Sequence, residues 1–98
     1  MTAYVINDME ITDPELFEEY KRLSPATVAQ YGGRFIARGG ATQALEGSWT
    51  PQRIVIVEFP SLAQAREWLD SPEYAPARRL RQRAARSRLI VVEGVRAT

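Results

Sequence analysis

Apolar and polar residues along the chain change repeatedly between the spacing typical of strands and the spacing typical of helices. Strand-like runs predict strands at residues 3–9, 34–38, 53–59 and 88–95, and helical spacing predicts helices at 14–31, 62–70 and 77–86. The order is β-α-β-β-α-β, with a short helical piece before the last strand. This order predicts one α+β domain over residues 1–98, ferredoxin-like, with a four-stranded antiparallel sheet and helices on one of its faces.

The ends of the helices carry recognisable signals. Asp13-Pro14 predicts a cap followed by the first helical residue, and Gly32-Gly33 predicts the end of that helix. Ser24-Pro25 predicts a kink and restart, because proline cannot donate its backbone hydrogen bond. Residues 61–64 match a capping box for the second helix. The inward face of the first helix is predicted to hold Leu16, Tyr20 and Leu23.

Two of the predicted strands do not alternate between apolar and polar residues. Residues 54–57 and 89–92 are aliphatic throughout, whereas a strand with one solvated face should alternate. Helices on one side cover only one face of a sheet. We therefore expect a second copy of the chain to cover the other face, in a symmetric homodimer.

Composition excludes several classes of chemistry. The 98 residues include no cysteine and no histidine, which excludes disulfides, Cys/His zinc sites, Ser-His-Asp catalysis and a histidine haem ligand. No spacing suggests a metal site, and no cofactor is expected. No apolar run approaches the ~20 residues of a membrane span, and no signal-peptide pattern opens the chain. These features predict a cytoplasmic protein without membrane contact.

Charge is unevenly distributed although the net charge is only +1. Residues 1–19 hold six acidic and no basic residues, and residues 78–88 hold six arginines. The arginines are either a nucleic-acid patch or a solvated helix face. No aromatic residues interleave with them, and residues 53–59 lack the stacking rings of an RNA-recognition strand. The solvated face is favoured, and no nucleic-acid partner is expected.

Several motifs together resemble a known family. They are residues 32–40 (GGRFIARGG), Glu46-Gly47, residues 53–61 (RIVIVEFPS), residues 71–74 (SPEY) and residues 91–95 (VVEGV). In these the chain resembles the small proteins grouped as domain of unknown function 1330. That family is similar to the dimeric α+β-barrel superfamily, which includes cofactor-free monooxygenases, muconolactone isomerases and haem-degrading enzymes. The resemblance implies the fold and the dimer, while the missing histidine argues against the haem branches.

Charged residues beside the glycine pairs are the first candidates for a site. Arg38 either clamps an anion with two hydrogen bonds or forms a structural ion pair with Glu46 or Glu58. Glu58, on the same side of its strand as Ile54 and Ile56, is a candidate general base or the partner of an arginine at the strand end. Glu46 either closes over a pocket or anchors its loop.

A second group of candidates is aromatic or lies near the helix ends. Tyr31, Trp68 and Tyr74 either line a flat apolar pocket or serve only in packing. Arg81 follows Leu80 where the resemblance implies an arginine, and Asn7 is a weaker candidate.

The expected function is a small-molecule site between the sheet and the helices. The ligand would be a modest organic molecule with an anionic or carbonyl group. A catalytic version would be cofactor-free proton abstraction, isomerisation or oxygenation, with Arg38 holding the oxyanion and Glu58 or Glu46 moving the proton. The alternative is a non-catalytic dimer that binds a metabolite or a protein.

Overall fold

The structure is a computed structural model that describes residues 1–96. The strands are β1 (Ala3–Ile11), β2 (Arg34–Arg38), β3 (Ile54–Phe59) and β4 (Ala85–Glu93), and the helices are α1 (Pro14–Gln30), α2 (Leu62–Leu69) and α3 (Ala75–Ala84). The sheet has the strand order β2-β3-β1-β4, and all its pairs are antiparallel. The predicted ferredoxin-like α+β fold is therefore confirmed.

Local chemistry explains where the helices begin and end. The carboxylate of Asp13 accepts a hydrogen bond from Leu16 N at 3.2 Å, and Ser61 Oγ accepts one from Gln64 N at 3.1 Å. Both side chains satisfy an N–H that has no partner inside its helix. Gly32 ends α1 with a φ of 78°, a left-handed conformation that costs glycine little. All three of these helix ends were predicted from the sequence.

Helix α1 departs from its prediction in two respects. It is one element from Pro14 to Gln30 with Pro25 inside it, not two segments separated by a restart. Leu16 and Tyr20 pack against the core as predicted, but Leu23 is exposed, and the fully buried residues of α1 are Phe17, Ser24 and Val28. None of the helices within residues 1–96 is long and apolar enough to cross a membrane.

The last helix and strand both begin earlier than the spacing predicts. Helix α3 begins at Ala75 instead of residue 77, and β4 begins at Ala85 instead of residue 88. The reason for the second shift is the length of β1, which continues to Ile11 and pairs there with Ala85. The chain consequently passes from α3 into β4 without a loop.

The helices all pack on one side of the sheet, which we call the helix face. Val5, Val57 and Phe59 point to this face and are buried. Trp68 of α2 packs against Phe59 with ring centroids 5.3 Å apart, and against Tyr74 at 4.1 Å. This contact between the sheet, α2 and the start of α3 forms the centre of the core.

The opposite side of the sheet, which we call the open face, is largely aliphatic. Ile36, Ile90 and Val92 are 48%, 60% and 45% exposed. The same face carries Ile6, Ile54 and Ile56, which are half-buried. Charged residues occupy one end of it, where Asp8 lies opposite Arg88 and Glu10 opposite Arg86 in the β1–β4 register. Among the described residues, no helix packs on this face.

An irregularity in β2 determines which side Arg38 faces. Strict alternation would place Arg34, Ile36 and Arg38 on one side. The pairing with β3 shifts between Phe35 and Ala37, so that Ala37 lies opposite Ile56 and Arg38 opposite Val55. This is a β-bulge, which adds one residue to one strand of a pair. Because of it, Arg38 lies on the helix face together with Phe35.

Gly33 provides a test of the packing between α1 and β3. A methyl group there would lie 2.7 Å from Phe59 Cε1 and 2.9 Å from Val28 Cγ1. We expect Gly33→Ala to lower the free energy of unfolding by about 1–3 kcal/mol, the cost of overpacking a core. Gly40→Ala is the matched control, because no atom lies within 4 Å of that position. Thermal unfolding of both variants measures the difference, and equal melting temperatures would contradict this account of the packing.

Candidate functional site

A cavity lies between the helix face of the sheet and helix α1, closed at its far side by α2 and α3. Its apolar walls come from the strands and from aromatic rings, among them Val55, Val57, Phe17 and Phe35. Its volume is about 30 Å³, room for about two water molecules. In this conformation the cavity admits a head group of a few atoms.

The polar lining of this cavity is cationic. Arg38, Arg53, Arg81 and Lys21 contribute to it, as does the amide of Asn7. None of the described side chains that line it is a carboxylate. Because buried charges in proteins are normally paired, several arginines around an apolar space without an acid require explanation.

Arg38 bridges the mouth of the cavity. Its exposed guanidinium donates from Nη2 to the backbone oxygen of Lys21 at 3.1 Å and lies 4.5 Å from the centroid of the Phe35 ring. Strand β2 and helix α1 are thereby joined across the opening. The predicted ion pairs of Arg38 are not formed, since Glu58 pairs with Arg34 and Glu46 lies exposed in the β2–β3 loop.

Arg53 is the second cation at the mouth. Its guanidinium lies 5.1 Å from the Phe17 centroid, and its Nη1 is buried without a hydrogen-bond partner among residues 1–96. Burial, and then the charge of Arg38, hold the pKa of Arg53 below its ordinary value. The two guanidinium groups are therefore close enough to repel each other.

Gly39 gives Arg53 the space that it occupies. A Cβ at Gly39 would lie 2.6 Å from Nη1 of Arg53 and 2.7 Å from its Cζ. The φ of Gly39 is 72°, a conformation that L side chains rarely adopt. Glycine is thus favoured at this position by the backbone, and its missing Cβ leaves room for the guanidinium of Arg53 where it lies.

The deep end of the cavity carries a hydrogen-bonded network centred on Tyr74. The hydroxyl groups of Tyr74 and Tyr20 share a hydrogen bond of 2.7 Å, and Arg81 Nε donates to Tyr74 Oη at 3.2 Å. Arg81 Nη1 donates to Ser87 Oγ at 2.9 Å. Burial, followed by the contact with Tyr74, raises the pKa of Tyr20 far above its ordinary value. Arg81 is buried, and its contacts here are neutral.

Asn7 adds an amide from the sheet. Its side chain is buried, and its Oδ1 has no hydrogen-bond partner within the described chain. Leaving a buried polar atom without a partner costs about 1–3 kcal/mol. A ligand or water in the cavity could donate a hydrogen bond to this oxygen.

The predicted site residues divide into two groups. Arg38, Trp68, Tyr74, Arg81 and Asn7 are brought together in the cavity. The other three lie elsewhere. Glu58 is on the open face beside Arg34, and Glu46 is in the β2–β3 loop. Tyr31 follows the end of α1, and its hydroxyl donates to Glu73 at 2.5 Å. The two carboxylates predicted to move a proton are consequently not beside Arg38.

Sequence reasoning missed Arg53 as a site residue. It was predicted to be the first residue of a strand, but β3 begins at Ile54. The available signal was the glycine pair at residues 39–40, which predicts a close approach to the backbone without indicating which side chain makes it. As to metals, no group of three or more acidic residues within residues 1–96 is arranged to hold an ion.

Tyr74 provides a test of the network. We expect Tyr74→Phe to lower the free energy of unfolding by about 1–3 kcal/mol, because it leaves Tyr20 Oη and Arg81 Nε buried without their partner. Tyr31→Phe removes a hydroxyl whose partner, Glu73, is exposed, and is expected to cost less than about 1 kcal/mol. Urea unfolding of the two variants measures both values. A cost for Tyr74→Phe no larger than that for Tyr31→Phe would show that the network contributes nothing.

Solved structures of other proteins share this fold. A protein of unknown function from Rhodopseudomonas palustris is 24% identical, with a TM-score of 0.77 over 98% of this chain and 84% of its own. SnoaB from Streptomyces nogalater, a cofactor-independent oxygenase, is 13% identical, with a TM-score of 0.67 over 98% of this chain and 95% of its own. A NIPSNAP domain protein from Burkholderia xenovorans is 12% identical, with a TM-score of 0.55 over 97% and 95% of the two chains.

These structural similarities establish the fold, and a match to a family model establishes the family to which the chain belongs. No curated protein matches the chain. The model of the family described as domain of unknown function, DUF1330, matches residues 2–95. Because that match covers nearly the whole sequence, this chain belongs to the DUF1330 family.

Proposed function

We propose that the protein binds a small organic anion in the cavity between the sheet and the helices. The observation that carries this proposal is the pair of arginines at the mouth. Arg53 presents a buried Nη1 that has no partner among residues 1–96, beside the guanidinium of Arg38 and in a lining without carboxylates. A carboxylate or enolate placed there would receive charge-assisted hydrogen bonds and relieve the repulsion between the two cations.

The size and walls of the cavity restrict the ligand further. A volume of about 30 Å³ accommodates a head group of a few atoms, and the rest of the ligand would extend past Phe17 and Phe35 at the mouth. Deeper in the cavity, Asn7 supplies an unpartnered amide oxygen, which accepts hydrogen bonds. This arrangement suits an anionic group that lies next to a hydroxyl or N–H donor.

One acid on the surface of α1 competes for the cations of the cavity. Glu18 forms a salt bridge with Lys21 Nζ at 2.9 Å and does not line the cavity. It neutralises Lys21. Arg38 and Arg53 at the mouth, and Arg81 at the deep end, are therefore the cations with which a ligand could pair.

Catalysis is a second candidate, supported by the likeness to a cofactor-independent oxygenase. The cations suit stabilisation of an oxyanion. A base is harder to supply, because the described lining lacks carboxylates and burial raises the pKa of Tyr20. The substrate of such a reaction would have to be acidic enough to ionise when it meets the arginines. Binding without turnover requires no base in the cavity and is the function that we favour.

Matched pairs of charged and neutral ligands test the proposal. We expect acetate and benzoate to bind and their amides, acetamide and benzamide, to bind at least about tenfold more weakly. The reason is that a charge-assisted hydrogen bond contributes roughly 1.5–3 kcal/mol, a factor of about 10 to 100. Titration followed by amide chemical shifts measures the affinities and shows whether the shifts centre on the cavity.

Two variants make this experiment specific. Arg53→Gln should weaken benzoate binding by a similar factor, because it removes the unpartnered donor. Arg79→Gln, on the exposed surface of α3, changes the net charge equally and should leave binding unchanged. Equal binding of acids and amides, or equal effects of the two substitutions, would contradict the proposal.

We also propose that a second copy of the chain covers the open face. The support is its aliphatic surface, with Ile36, Ile90 and Val92 exposed and no helix of the described chain packed against it. Exposed apolar surface of this kind is typical of contact sites between proteins. The cavity opens on the other side of the sheet, so each copy would hold a complete site.

Ile90 provides the test of the dimer. We expect the protein to sediment as a dimer at micromolar concentration and Ile90→Lys to sediment as a monomer, because a buried charge without a partner opposes association. Leu23→Lys is the control, since Leu23 is 45% exposed but belongs to α1 on the other side of the sheet. A monomeric wild-type protein, or equal loss of dimer in both variants, would overturn this assignment.

A further inference from the structure

We propose that Asp8, on the open face, is a positioning residue that holds Arg53 in place for the anion on the helix face. The inference rests on the proposed function, because Arg53 matters only if the cavity binds an anion. Asp8 is not part of the cavity lining. Its effect on the ligand must pass through the main chain at the start of β3.

Three hydrogen bonds join Asp8 to the end of the β2–β3 loop. Its Oδ1 accepts from Gln52 N at 2.9 Å and from Arg53 N at 3.3 Å. Its Oδ2 accepts from the indole Nε1 of Trp49 at 3.1 Å. One carboxylate on β1 therefore fixes the last residues of a long loop whose other side chains are mostly exposed.

The backbone of Arg53 is fixed on its other side as well. Its carbonyl oxygen accepts a hydrogen bond from Met9 N at 2.9 Å. Both main-chain groups of Arg53 are thus bound by consecutive residues of β1, the N–H by the side chain of Asp8 and the carbonyl by the backbone of Met9. Of these two contacts, only the one to Asp8 can be removed without changing the backbone of β1.

The side chain of Arg53 leaves this fixed point with little freedom. It crosses Gly39 at a distance that no Cβ would permit and reaches the ring of Phe17. A small rotation of the main chain at Arg53 would therefore move the guanidinium away from Arg38 or drive it against β2. A guanidinium that is already held in its binding position loses less conformational entropy when a ligand binds.

The sign of the effect separates positioning from simple electrostatics. Burial acts to raise the pKa of Asp8, but the hydrogen bonds from Gln52, Trp49 and Arg53 together lower it below its ordinary value. Asp8 is therefore an anion at neutral pH. On charge alone, removing it should strengthen the binding of another anion. Positioning predicts the opposite, weaker binding.

Asp8→Ala and Glu10→Ala form a matched pair for the experiment. Both remove one carboxylate from the open face of β1, and only Asp8 is bonded to the loop. Alanine is needed because an asparagine oxygen could still accept from Gln52 N and Arg53 N. We expect Asp8→Ala to weaken binding about fivefold or more, the effect of losing about one net hydrogen bond. The probe is acetate or benzoate, whichever binds wild type more tightly. Glu10→Ala should leave its affinity unchanged or slightly increased.

Two further variants exclude a general loss of structure. Trp49→Phe keeps the charge of Asp8 and removes one of its three donors, so we expect a smaller loss of affinity in the same direction. In an Arg53→Gln background, Asp8→Ala should have no further effect, because the residue that it positions is gone. Additive effects of Asp8→Ala and Arg53→Gln would overturn the proposal.

Hydrogen exchange gives a readout that needs no ligand. We expect the amides of Gln52 and Arg53 to exchange faster in Asp8→Ala than in wild type, and the amides of α2 to be unchanged. Unaltered exchange at both amides, or anion binding that is equal or tighter in Asp8→Ala, would show that Asp8 does not position Arg53. Failure of the wild-type protein to bind any anion would instead overturn the proposed function, and this inference with it.

Discussion

Packing of all three helices against one face of the sheet is the constraint on which the rest of this molecule depends. Because side chains alternate along a strand, each strand places some of its residues on the helix face and the others on the open face. The covered side is filled by Phe59, Trp68 and Tyr74. The same side also holds Asn7 and the arginines of the cavity, where packing alone would favour apolar residues. Their placement is unfavourable for stability, and the proposed anion site would account for it.

The parts of this structure that could be predicted from the sequence are those that local chemistry decides. Asp13, Ser61 and Gly32 set helix ends by hydrogen bonding and backbone freedom, so the order of the elements could be predicted. The face of the sheet on which Arg38 lies could not be predicted, because the bulge in β2 arises from pairing with β3. Leu23 was misplaced for a related reason, since the inward side of α1 depends on how the helix lies on the sheet.

The composition of the cavity bears on what kind of chemistry this family member can support. Arginine remains protonated at any physiological pH, so the cavity offers hydrogen-bond donors and positive charge but no proton acceptor of ordinary strength among its described charged side chains. The sequence offered Glu58 either as a base or as the partner of an arginine, and in the structure it pairs with Arg34 on the far side of the sheet. In the proposed site, a bound molecule would therefore have to supply any reactive charge itself, and the arginines would stabilise that charge.

The bulge in β2 also affects how such a protein can change over evolutionary time. Ile36 is the additional residue, and it is accommodated on the open face while Phe35 and Arg38 keep their positions on the helix face. A deletion at this point would restore a regular strand and would still leave Arg38 facing the helices. Loss of this one residue would therefore alter the surface presented to other molecules without altering the interior, so at the bulge the two sides of one thin sheet can diverge separately.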